Sequence, residues 1–151
     1  MNNELITLIH GTPGHWVTAV TGGGTTALSR LLGVPGASRT LLEATIPYAQ
    51  TALTAYLGNT PAQAASSQTA RALAMAAFQR ARQLTASQGA TASDADQGRE
   101  TPLFGLGASA ALVTDRSRRG DDHCFVAVQS RQASWEFSLT FGKAGRQRSE
   151  Q

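Results

Sequence analysis

Three consecutive glycines, Gly22–Gly24, stand between a short apolar run and a helical pattern. Trp16–Val20 reads as a strand. Leu28, Leu31 and Leu32 then share one side of a helix, and Gly33-Val34-Pro35-Gly36 stops it. A strand, a glycine turn and a helix in so few residues form the first half of a βαβ unit. Glycines at such a turn let backbone amides face outward at a helix N-terminus, where the partial positive charge suits a phosphate or carboxylate. The run is not G-x-x-x-x-G-K-[ST], because no Lys follows it, and it is not G-x-G-x-x-G. Two uses of the turn stay open: a tight connection with no ligand, or an anion site.

The 151 residues suit one domain spanning 1–151. A hydrophobic content of 41% can build a core. The net charge is only +3, and the Arg residues are scattered without interleaved aromatics, so nucleic acid is not an expected partner. Lys143 is the single lysine. One cysteine, Cys124, excludes an internal disulfide and a multi-Cys zinc site. No apolar run approaches the ~20 residues of a membrane span, and no basic-then-apolar leader begins the chain. Cytoplasmic residence, no membrane partner, no metal and no cofactor are the expectations.

Along the chain, residues Asn2–His10 favour a short helix and Gly11–Gly14 a turn. Arg39–Tyr48 reads as a second strand with Glu43 inside it and Pro47 near its end. Ala49–Leu57 is a helix closed by Gly58-Asn59. Ser66–Leu84 is the clearest helix, capped by Ser66 or Ser67. Ala70, Leu73, Ala74, Ala77, Phe78 and Ala81 make its apolar face, and the many alanines predict close packing on a sheet or a second subunit. Thr85–Thr101 reads as an exposed loop. Leu103–Val113 is a buried strand. Asp115–Asp122 is a polar turn, with Arg116, Arg118 and Arg119 on a solvated loop or at a phosphate. His123–Ser130 and Ser134–Gly142 form a hairpin turning near Gln132. Trp135, Phe137, Leu139 and Phe141 share a face of the last strand, and its aromatics read as core. The sum is an α/β domain: three layers, α/β/α, with a mixed sheet of about five strands. No apolar helix follows the last strand, so the sheet is expected to be partly open or covered by another copy.

The order of these motifs resembles the C-terminal domain of the CinA family, whose active members are nicotinamide-nucleotide amidohydrolases. The family carries E-S-C-T-G-G, a helix, V-P-G-S-S, a strand ending in Y-S-N-x-x-K, and L-L-G beyond. The parallel runs here are Val20–Thr25, Val34-Pro35-Gly36-Ala37-Ser38, Tyr48–Leu53 and Tyr56-Leu57-Gly58. The family's V-S-x-x-x-A-x-x-M-A helix is similar to Ser66–Ala74, and its T-G-I-A-G-P loop corresponds loosely to Ser109–Thr114. The resemblance covers nearly the whole chain from Trp16. It is closer still to a subgroup with GGG turns, V-P-G-A-S and an R-x-x-G-D-H segment, here Arg116–His123.

This resemblance implies a homo-oligomer acting on the carboxamide of nicotinamide mononucleotide or a related nucleotide. It implies Ser38 as nucleophile with Tyr48 nearby. Thr21, Gly22, Gly23, Gly24, Thr25, Ser109 and Arg146 are the implied substrate-binding residues. Ser38 can equally cap a turn. The pattern breaks at the family's Lys, which is Leu53 here, and a leucine cannot accept a proton. Val20 and Thr21 replace the Glu and Ser of E-S-C, and the T-G-I-A-G-P loop has lost its glycines and proline. His10, His15 and His123 are expected to be surface or core-edge residues, with His15 at the sheet end opposite the glycine turn. His123 and Cys124 are neighbours on one strand, so they face opposite ways. Three functions are therefore weighed: an amidohydrolase, a degenerate nucleotide-binding module, and an oligomerisation module.

Overall fold

The computed structural model describes residues 3–89, 101–112 and 121–142. The element order is α1 (Asn3–Gly11), β1 (His15–Thr21), α2 (Thr25–Gly33), a single 3-10 turn (Ala37–Arg39), β2 (Leu41–Thr45), α3 (Gln50–Leu57), α4 (Ser67–Gly89), β3 (Leu103–Ala111), β4 (Asp122–Gln129) and β5 (Ser134–Phe141). The strands form one mixed sheet in the order β2-β1-β3-β4-β5. β1 is parallel to both β2 and β3, while β3-β4 and β4-β5 are antiparallel.

From β1 the chain moves one strand outward to β2, then returns past β1 to β3. Right-handed crossovers in opposite directions put their helices on opposite faces. Accordingly, Leu28 of α2 packs with Val20, Ala108 and Leu106 on one face. Leu53 of α3 and Leu73 of α4 pack with Ala19 on the other. The three-layer α/β/α architecture expected from the sequence is the one observed.

The alanine face of α4 meets the sheet. Ala70, Leu73, Ala77 and Ala81 are fully buried. The approach is close because β3 presents two glycines. A Cβ at Gly105 would lie 2.1 Å from the Ala74 carbonyl oxygen, and one at Gly107 would lie 2.2 Å from that of Ala70. Any side chain at either position would push the helix off the sheet.

Three features differ from the sequence reading. The strand expected over Arg39–Tyr48 is confined to Leu41–Thr45, because residues 37–39 form the 3-10 turn. Helix α4 continues to Gly89 instead of yielding to a loop at Thr85. In this last stretch the Thr85 and Ser87 hydroxyls donate to the carbonyls of Ala81 and Gln83, four residues back. Two aromatics of β5 are not core: Trp135 and Phe137 are 45% and 58% exposed, with Leu139 beside them at 56%, while Phe141 is partly buried.

Candidate functional site

In parallel strands, the segments that follow the strands gather at one sheet end and those that precede them at the other. Gly22–Gly24 follow β1, Ile46–Tyr48 follow β2, and Leu112 follows β3. These lie together at the carboxyl end. The chain reverses direction across the sheet between β1 and β3, the position where open α/β sheets form a crevice.

The Thr21 hydroxyl ties two of these segments together. It is buried and donates to the Pro47 carbonyl at 3.0 Å. The glycines are required by packing. Gly22 has φ +75°, and its Cβ would lie 1.9 Å from the Ala110 carbonyl oxygen. A Cβ on Gly23 would lie 2.5 Å from Cδ1 of Leu112. Gly24, at φ +90°, is the N-cap of α2.

Three helices begin at this end, and they differ in how their first amides are satisfied. Helix α4 is sealed. Ser66 Oγ accepts from the Thr69 amide at 3.1 Å, and the Ser66 amide donates to Ser109 Oγ at 3.2 Å. Ser109, fully buried, donates in turn to the Ala64 carbonyl. Its hydroxyl therefore pins the entry of α4 to β3. Helices α2 and α3 have Gly24 and Ala49 as N-caps, and neither receives a side-chain cap. Thr25 and Thr26 are exposed, as are Gln50 and Thr51. Among the described residues, the Thr25 and Thr26 amides find no acceptor. Uncapped amides at a helix N-terminus can receive an anion. Tyr48, 65% exposed, and Ile46, 50% exposed, stand beside it as an apolar rim.

Ser38 is not part of this cluster. It lies exposed in the 3-10 turn that precedes β2. The next residue but one, Thr40, accepts at its carbonyl from the Trp16 amide, at the amino end of the sheet. Strand β2 therefore separates Ser38 from Tyr48 and from the glycine turn. Leu53, which the sequence resemblance aligns with the motif Lys, is 1% exposed and packed into the core. His15 begins β1, at the sheet end opposite the glycines, as expected.

His10 contacts Arg39 and Thr40, next to Ser38, but both its ring nitrogens are engaged. Nε2 donates to the Leu31 carbonyl at 2.9 Å, and Nδ1 is 2.7 Å from the Thr40 hydroxyl. Its ring is 3% exposed and joins α1 to the end of α2 and the start of β2. Among the described residues, no His, carboxylate or amine hydrogen-bonds the Ser38 hydroxyl. Arg146, Arg116, Arg118, Arg119 and Lys143 lie outside the described residues.

Sequence reading missed Thr26, Gln50 and Thr51. Their signal was the absence of Ser, Thr, Asp or Asn at the two N-cap positions, set against Ser66 at the third. A separate groove of about 1110 Å³ lies at the amino end, between Phe78, Arg82, Phe104 and Trp135, and includes none of the site residues.

No family model matches the chain. No curated protein matches it either. Solved structures do share its fold. The competence/damage inducible protein CihA from Agrobacterium tumefaciens superposes with a TM-score of 0.64 at 19% identity, over 97% of this chain and 81% of that one. A CinA superfamily protein from Escherichia coli gives 0.61 at 15% identity, over 93% and 74%. One from Enterobacter cloacae gives 0.59 at 14% identity, over 93% and 76%. The chain therefore shares the α/β fold of these proteins. Among the described residues no helix is long and apolar enough to cross a membrane.

Proposed function

We propose that this CinA-like domain binds a phosphorylated nucleoside-type ligand, nicotinamide mononucleotide or a relative, at the carboxyl end of its sheet. The single observation that carries this is the contrast between α4, whose first turn is sealed by Ser66, and α2, whose first turn is open. The phosphate would sit on the Thr25 and Thr26 amides, with the Thr hydroxyls as further donors. The ring would lie against Tyr48. The nucleotide class comes from the sequence resemblance, and the likeness to CinA-superfamily structures extends to the fold alone.

Hydrolysis of the carboxamide would need a nucleophile and a base within hydrogen-bond reach. Ser38 stands at the other end of β2, and Leu53 offers no base, so binding without turnover fits the geometry better. Two assays separate the alternatives. A thermal-shift series should show stabilisation by nicotinamide mononucleotide and less by its unphosphorylated nucleoside, because the phosphate supplies the contact. Ligand at 100 times its Kd stabilises by about 2.7 kcal/mol. Ammonia release from nicotinamide mononucleotide should stay at background. Release that Ser38→Ala abolishes would instead establish the amidohydrolase.

A further inference from the structure

We infer that the groove at the amino end of the sheet is a binding site for a flat aromatic anion. It lies at the sheet end opposite the glycine turn and shares no residue with the site there, so the two are independent. Its volume of about 1110 Å³ matches the upper end of the range for small-molecule sites. Helix α4 contributes Met75, Phe78 and Arg82, spaced by three and four residues and therefore on one face of the helix. The turn between β4 and β5 contributes Arg131 and Gln132, with Trp135 just beyond it, and the start of β3 contributes Phe104.

This lining combines flat apolar surface with positive charge. Trp135 and Met75 are 45% and 43% exposed, so the groove keeps apolar surface that the described residues do not bury. Phe104 is held by Trp16, whose ring stacks on it with 4.5 Å between centroids and 21° between planes. Arg82 and Arg131 supply two guanidinium groups, and among the described residues no Asp or Glu lines the groove. Among the described residues no carboxylate pairs with Arg82. A guanidinium without a counter-ion, beside exposed aromatic surface, is complementary to a ring that carries an oxyanion. A neutral ring would leave Arg82 unpaired, and a cation would be repelled.

The parts are fixed in advance. Ser130 Oγ accepts from the Gln132 and Ala133 amides at 3.1 and 3.0 Å, and the Ser130 amide donates to the Ala133 carbonyl at 2.9 Å. These bonds set the backbone that carries Arg131, while Arg82 stands inside a continuous helix. A site already ordered costs a ligand less entropy to bind. The geometry also favours a small molecule over a peptide. Strands β3 and β4 are each paired on both sides within the sheet. An extended peptide therefore finds no free ladder edge on them, and recognition falls to the side chains.

Calorimetric titration of the full chain with 2-naphthoate tests this. It should bind saturably below millimolar concentration. 2-Naphthamide keeps the ring without the charge, and acetate keeps the charge without the ring. Each should bind at least tenfold more weakly. 2-Naphthyl phosphate separates the two kinds of oxyanion: tighter binding than naphthoate assigns the site to phosphate esters, and weaker binding assigns it to carboxylates. Arg82→Gln should weaken naphthoate binding at least tenfold. Arg71→Gln makes the same charge change on the same helix outside the groove, about 16 Å away at 1.5 Å per residue, and should leave binding unchanged. Trp135→Ala, at a half-exposed position, should weaken it severalfold. No saturable binding of either naphthalene anion, equal binding of naphthoate and its amide, or equal losses in the two Arg variants would overturn the proposal.

Discussion

Ser38 and Tyr48 stand at opposite ends of β2. Thr40, just after Ser38, meets Trp16 at the amino end, and Pro47, just before Tyr48, meets Thr21 at the carboxyl end. The strand between them spans about 13 Å at 3.3 Å per residue. Within one chain the two side chains cannot act on the same bond. Ser38→Ala should therefore leave ligand binding unchanged. Because Ser38 is an exposed turn residue, stability should move by no more than about 0.5 kcal/mol. Denaturant unfolding and ligand titration of the variant check both. A tenfold loss of affinity would place Ser38 at the site after all.

Replacing Leu53 with Lys should not create a general base. Leu53 packs against Ala19 and Leu73, and an ammonium there loses its water without gaining a partner. The expected cost is at least about 3 kcal/mol, visible as a lower urea midpoint, with ammonia release still at background. A stable, active variant would show that the position opens toward substrate.

Gly107→Ala should destabilise by about 3 kcal/mol, because its methyl would meet the Ala70 carbonyl and the Ala74 amide. Gly33→Ala is the control. It has nothing within 4 Å of the added Cβ and should be neutral or stabilising by about 0.5 kcal/mol. Equal effects would mean that α4 does not press on β3 as described.

Tyr56 should contribute to the loss of stability at alkaline pH. Burial is the main cause that pushes its phenol above the ordinary value of 10, and Glu43 adds to it. The folded state thus holds the proton more tightly than the unfolded chain. Stability from this group is complete below pH 10 and falls as pH rises past it. Tyr56→Phe should flatten that decline in urea midpoints measured from pH 8 to 11. An unaltered slope would assign the decline to other groups.

The parallel half of the fold was legible because its strands are punctuated by glycine and proline. The face of α4 was legible because its alanines repeat at helical spacing. The sites of contact were harder to read. Gly105 and Gly107 look like ordinary small residues until α4 is seen lying on them. The aromatics of β5 have the alternation of core residues, but alternation reports which side is apolar and not whether anything covers it. Ser38 was grouped with Tyr48 through motif resemblance. The parallel pairing of β1 and β2 already implies that a residue before β2 and a turn after β1 lie at opposite sheet ends. Ser109, grouped with the binding residues by the same resemblance, spends its hydroxyl on Ala64 and Ser66.

The most direct test of the central claim is calorimetric titration of wild type and Thr26→Glu with pyrophosphate and with nicotinamide mononucleotide. A carboxylate in the first turn of α2 suits the helix dipole, so the variant should be as stable as wild type or better by about 0.5 kcal/mol. It should also repel an anion from the Thr25 and Thr26 amides. Binding by wild type that falls at least tenfold in this well-folded variant is the predicted result. Equal binding by both proteins, or none by wild type at millimolar ligand, would contradict an anion site at the glycine turn.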